Sequence, residues 1–229
     1  MSVVRLALVS TMSIQSIATA STVTLSAIAP LVAAAIGMPS SFIGTYVCFI
    51  YIGAAFAAVA GGTMVTRYGG IHVSQGCLIL AAIGLMLSSI TNFWFICLGG
   101  LILGLSYGPI TPASSDILAH TVPKERMGFV FSLKQTAVPL GSALAGFIVP
   151  SIALWANSWQ AGPHAMGIFA LCVALLVLYH RNQLDDHFDP SSRFSIHTVL
   201  NALRLVTSQP GLRRMCIVSF VYNGTQMCV

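Results

Sequence analysis

Charge is what this chain has least of: Asp, Glu, Lys and Arg make up 7% of its 229 residues, against 56% hydrophobic. A soluble domain carries about 25% charged residues. So few charges cannot cover a water-facing surface, which excludes a soluble globular protein and leaves an integral membrane protein. Metal-ligand spacing is also missing. The six cysteines form no C-x-x-C pattern and the six histidines no H-E-x-x-H, so a disulfide framework, a zinc site and metal chemistry find no support. The cysteines read as small buried hydrophobes. The net charge of +5 invites a nucleic-acid reading, but nine of the ten Lys and Arg fall in one alternating set of connections. That pattern is a topology signal, and no nucleic-acid partner is expected.

What is present is a series of apolar runs, each about the 20 residues needed to cross a bilayer. They read as spans over 5–36, 41–66, 71–91, 93–119, 127–154 and 163–180, and a seventh run begins near Leu212. A signal-peptide reading of Arg5 and the small-residue site Ala18-Thr19-Ala20 fails because the apolar run continues well past it. Arg5, Arg67, Lys124, Arg126 and the arginines after span 6 lie in alternate connections, whereas the opposite turns carry no Lys, Arg, Asp or Glu. By the positive-inside rule the N-terminus and the 181–211 loop are cytoplasmic. That loop opens with Asp185, Asp186 and Asp189. It continues into an amphipathic pattern of Ile196, Val199, Leu200, Leu203 and Val206, suited to the membrane surface, which Pro210 ends. The expected fold is an all-α membrane protein: a six-span transmembrane bundle (1–180), a cytoplasmic linker (181–211) and the start of a seventh span (212–229).

Polar residues inside the spans are the functional candidates. On span 1, Thr11, Gln15, Thr19, Thr22 and Ser26 recur at steps of 4, 4, 3 and 4 and form one stripe. Such hydroxyls either bond back to their own helix carbonyls or line a wet cavity. Small residues at four-residue steps, Gly53, Ala57 and Gly61 on span 2 and Gly100, Gly104 and Gly108 on span 4, let helix backbones approach closely. Pro109 and Pro112 should bend span 4, where Tyr107, Thr111 and Ser114 share a face. On span 5, Phe129, Leu133, Leu140, Leu144 and Phe147 make a bulky stripe for lipid, while Lys134, Gly141 and Ala145 point the other way with Gln135 beside them. A lysine in the bilayer interior costs at least ~2.5–3.5 kcal/mol at a helix centre and is a functional-site candidate by default. Three readings of Lys134 stay open: snorkelling to the headgroups, a structural polar pair, or a solute or proton route. The one acid within a span, Asp116, lies near the cytoplasmic end of span 4 and suits an arginine at that end better than Lys134.

The loop after span 2 reads Gly62-Thr63-Met64-Val65-Thr66-Arg67-Tyr68-Gly69-Gly70-Ile71. It resembles the G-x-L-a-D-R-x-G-R-[RK] loop of the major facilitator superfamily, with Gly62, Arg67 and Gly69 matching and Thr66 in place of the aspartate. The runs Gly108 to Ser115 and Phe131 to Gly141 look like those of a bacterial branch of uncharacterised members. The antiporter motif of span 5, ending Gly-Pro-x-x-Gly-Gly, is absent around Gly141 to Pro150. The resemblance covers the first half of a twelve-span architecture. It implies two three-span inverted repeats, a cavity lined by spans 1, 4 and 7, and access alternating by rocking of the halves. It further implies a conformational lock of Gly62, Arg67, Gly69 and Asp116, with Arg67 bonded to Asp116. Gln15, Thr19, Tyr107, Thr111, Lys134, Gln135 and Asn223 are then the solute-binding candidates. The expected function is secondary active transport of a small solute, with an anionic one as a candidate, across the cytoplasmic membrane, with no catalytic residue, metal or cofactor and with proton or ion coupling left open. The expected partners are the solute, membrane lipid, and a C-terminal half or partner chain that completes the bundle. A chain ending at Val229 also fits a non-transporting remnant or membrane assembly subunit.

Overall fold

A computed structural model describes residues 3–179, 184–185, 204–205 and 207–227, and of residues 222–227 only the backbone. Among the described residues there is no strand. The helices are α1 (Val3–Ala27), α2 (Ala29–Ile36), α3 (Phe42–Tyr68), α4 (Gly70–Ser88), α5 (Phe93–Tyr107), α6 (Ile110–Thr121), α7 (Met127–Gln135), α8 (Ala137–Trp155), α9 (Ala161–Leu178) and α10 (Pro210–Met227). Six segments are long and apolar enough to cross a membrane: α1, α3, α4, α5 with α6, α7 with α8, and α9. The expected all-α six-span bundle is therefore present. The chain forms two compact units, Met1–Ser192 and Arg193–Val229. In the second, α10 covers the expected seventh span, but with Arg213 and Arg214 in its first turns it is not among the six crossing segments. The amphipathic pattern from Ile196 to Val206 lies outside the described residues.

Three spans read as continuous in sequence are broken, each at a proline. Span 1 breaks at Ile28, ahead of Pro30. Span 4 breaks at Gly108-Pro109, and span 5 at Thr136, three residues ahead of Pro139. Proline brings no N–H to the carbonyl four residues back and its ring presses on that turn, so the helix bends or stops there. Span 3 is also shorter than expected, ending at Ser88, and Asn92 opens α5 by accepting the backbone N–H of Trp94 at 3.0 Å.

Packing is organised around α1, which lies against α8 and α9, while α4 packs on α9 and α5, and α3 on α5. One buried cluster, around Ile28, Tyr46, Leu85 and Val149, fills the end with the uncharged turns. The other, around Ile14, Val65, Leu78, Ile117 and Val130, fills the end that carries Arg67, Lys124 and Arg126. Close approach between α3 and α5 depends on Gly104, where an added Cβ would run into the backbone of Ile50 and Ala54. At the α1–α8 crossing Gly141 faces the carbonyl of Ser16 in the same way. Of the expected lipid stripe of span 5, Phe129 at 74%, Leu140 and Phe147 at 78% are exposed, and Leu133 and Leu144 are half-buried.

Candidate functional site

Lys134 lies in the last turn of α7, two residues before the break at Thr136. Its side chain is turned into the bundle and is only 2% exposed. The ammonium donates to Ser115 Oγ at 3.2 Å and to the Thr111 carbonyl at 3.4 Å, both on α6. The ring of Phe131 lies 6.0 Å away. Lys134 therefore does not snorkel. Its partners are neutral acceptors, so its charge is solvated by dipoles and not cancelled by an anion. Among the described residues the one ion pair within 4.0 Å joins other groups, His120 Nδ1 and Asp116 Oδ1, at 3.6 Å.

Span 1 reaches this region through Ser16, whose hydroxyl donates to the Ala137 carbonyl at 3.0 Å, just beyond the break. Its neighbour Gln15 is buried, and Gln15 Oε1 is a fully buried acceptor with no hydrogen-bond donor among the described residues. Such an acceptor costs about 1–3 kcal/mol until something donates to it. The rest of the stripe behaves differently. The hydroxyls of Thr11, Thr19 and Thr22 donate to Ala7, Gln15 and Thr19 carbonyls of their own helix at 2.8–2.9 Å, the back-bonding alternative. Tyr107 is half-buried and packs against the cluster at the charged end. The Thr111 side chain and Gln135 are exposed. Asn223 lies in α10, and its side chain is outside the described residues. Of the predicted set, the structure joins Lys134 with Thr111 and places Gln15 next to the Ser16–Ala137 contact. Sequence reasoning had not singled out Ser115 or Ser16 as partners. Sequence distances of 19 and 121 residues leave no local periodicity to find them by.

The loop motif shows a different contact from the one its resemblance implied. The Arg67 guanidinium lies 5.2 Å from the Tyr68 ring centroid, and Asp116 pairs with His120 one turn along α6. At the start of α4 the carboxylate of Asp185 accepts the backbone N–H groups of Ile71 at 2.8 Å and His72 at 3.0 Å. These are two of the orphan donors of a helix N-terminus, and the cap position, Gly69, has no side chain to satisfy them. A carboxylate from beyond span 6 therefore caps span 3. Gly69 has φ +89°, and a Cβ there would overlap the Asp185 carboxyl, so two separate requirements call for glycine. We predict that Asp185→Ala lowers stability by about 1 kcal/mol, the usual cost of a lost cap. Asp185→Asn should retain part of this. Denaturant titration of the purified protein checks it, and unchanged midpoints for both variants would refute the capping role.

Asp116, His120, Asp185, Gly69 and Gly70 surround one small cavity at this end. Among the described residues no group of three or more His, Cys, Asp or Glu side chains is arranged to hold a metal. Comparison with curated protein sequences gave no match. The family model described as Major Facilitator Superfamily matches residues 11–228. With the six crossing helices and the Gly62 to Ile71 loop, this shows that the chain belongs to the major facilitator superfamily of multi-pass membrane transport proteins.

Proposed function

We propose that the chain contributes the N-terminal bundle of a secondary active transporter that moves a small anionic solute by alternating access. The observation that carries this is the buried ammonium of Lys134, whose hydrogen-bond partners among the described residues are a carbonyl and a hydroxyl. Holding an uncompensated charge inside a membrane protein is costly, and such residues mark substrate or ion paths. An anion is the ligand that best compensates it. Gln15 is assigned to donate to or accept from the solute, with Thr19, Tyr107, Thr111 and Gln135 on the route. Lys134 is closed off in this conformation, so entry requires α6 and α7 to part, and the break at Thr136 is the natural hinge.

Gly62, Arg67, Gly69 and Asp116 are proposed to stabilise one of the two conformations. Arg67 and Asp116 have other partners here, so their mutual bond belongs to the alternate one. The basic end is proposed to face the cytoplasm across the cytoplasmic membrane, with the N-terminus and the 181–211 linker on that side. No catalytic residue, metal or cofactor is assigned, and a proton or ion gradient is proposed to drive the movement. The cavity is completed by a second bundle or a partner chain.

A second reading is favoured by the same contacts: Lys134 is a structural tie between α6 and α7 in a non-transporting membrane protein. Uptake into proteoliposomes containing the full protein separates the two. Radiolabelled monocarboxylates, dicarboxylates and phosphate monoesters serve as probes, with and without an imposed pH gradient. Saturable, gradient-driven accumulation of one anion class is expected. Accumulation no greater than in empty liposomes for the whole panel would leave the structural reading standing.

A further inference from the structure

Spans 2 and 3 meet at the tight turn around Gly69 and then diverge, each packing on span 4 more than on the other. Between them runs a groove of about 780 Å³, walled by α3 from Phe56 to Tyr68 and by α4 from His72 to Leu80, with Leu105 and Pro109 as its floor. The twelve helical steps from Phe56 to Tyr68 make it roughly 18 Å long. Its walls are apolar almost throughout, with Met64, Val73 and Ile79 among them, and it opens where Phe56 is 73% exposed. The Gln75 amide at its edge is engaged with the Ala174 carbonyl at 3.2 Å. Among the described residues, the hydroxyl of Tyr68 and the imidazole of His72 give the end beside the turn its polar character.

Two further observations bear on what fills the groove. Gly76 lies in its wall in the middle of α4, where glycine costs about 0.5–1 kcal/mol relative to alanine. A Cβ added at Gly76 would meet nothing within 4 Å, so helix packing does not require glycine there. What the missing side chain preserves is the width of the groove. The polar end is also cationic. The Arg67 guanidinium lies on the ring of Tyr68, a wall residue, and the His72 side chain is exposed beside it. Of the two acids that line the small cavity behind the turn, Asp185 is buried and accepts the Ile71 and His72 amides, and Asp116 is paired with His120.

From this geometry we infer that the groove seats one acyl chain of an anionic phospholipid, with its phosphate held between Arg67 and His72. An acyl chain matches a long, narrow, apolar slot inside a membrane, and a phosphate matches a guanidinium and an imidazole at its mouth. No residue of the Lys134 site takes part, and because Arg67 is shared with the proposed conformational lock, lipid binding and not transport is the readout.

Native mass spectrometry of the full protein, delipidated and then titrated separately with phosphatidylglycerol and phosphatidylcholine, tests it. The wild type is expected to bind one phosphatidylglycerol in preference to phosphatidylcholine, by about fivefold, the effect of one basic residue near a membrane surface. Arg67→Gln should bring that ratio close to one. Gly76→Trp should block the slot and reduce binding of both lipids by about tenfold or more. Gly76→Leu serves the same purpose should the larger ring prevent folding, and an unchanged thermal midpoint certifies either variant. Equal retention of the two lipids by the wild type, or full lipid retention by both Gly76 variants, would overturn the proposal. A wild-type dimer mass that Gly76→Leu converts to monomer would overturn it too, assigning the groove to a second copy of the chain.

Discussion

Lys134→Ala is expected to raise the half-saturating concentration of the transported anion by roughly 30-fold or more, while the protein still folds. Truncating one partner of a buried charge pair typically costs about 2–5 kcal/mol, and ~2 kcal/mol already corresponds to that factor. Folding should survive because the groups left behind, the Ser115 hydroxyl and the Thr111 carbonyl, are neutral and part of a helix. Lys134→Arg keeps the charge but replaces a compact ammonium by a planar fork, and should recover part of the affinity. Lys134→Met keeps the stem without the charge and should behave like alanine. Uptake and unfolding have to be measured on the same preparations. If all three variants lost stability and transport in proportion, Lys134 would be a tie between spans 4 and 5 and the solute site would lie elsewhere. If Lys134→Ala and Lys134→Met transported normally, the anion proposal would fail outright.

Gly104→Leu is expected to cost about 3 kcal/mol or more, enough to remove most of the folded protein. Overpacking a well-filled contact usually costs about 1–3 kcal/mol because side chains can shift rotamers. At Gly104 the obstacles are main-chain atoms of Ile50 and Ala54, which cannot move unless α3 and α5 separate. Inside a membrane that separation is especially damaging, because helix association there rests on close packing without a hydrophobic driving force. Gly44→Leu is the control: Gly44 is on the same span as Ile50, but a Cβ there meets nothing within 4 Å. Folded fractions through a detergent-denaturant titration should fall sharply for the first variant and stay near wild type for the second. Similar curves for both would show that small residues at this crossing are dispensable.

Much of this architecture was written in local pattern. The count of spans followed from apolar run length, which the thickness of a bilayer dictates. The lipid face of span 5 followed from a 100° period, and Phe129 and Phe147 lie on the exposed side as that period requires. The kinks were only partly legible. Pro109 and Pro112 marked the bend in span 4, but Pro30 and Pro139 also follow breaks, each in the first turn of the next helix, whereas Pro150 lies inside α8 without ending it. The glycine spacing on spans 2 and 4 pointed to close packing without saying which helix each would meet.

The sequence by itself determined that this chain carries six apolar runs able to cross a membrane, with its basic residues in alternate connections, and that a lysine would face the bundle interior. Those properties depend on composition and on periodicity within single helices. Only the tertiary structure decided that Lys134 would rest on Ser115 and Thr111, that Arg67 would lie on Tyr68 with Asp116 left to His120, and that Asp185 would cap a helix 114 residues earlier in the chain. Hydrogen bonds and close charge contacts act over a few ångströms. Which groups come that close is set by how the helices cross, and no single helix carries that information in its own residues.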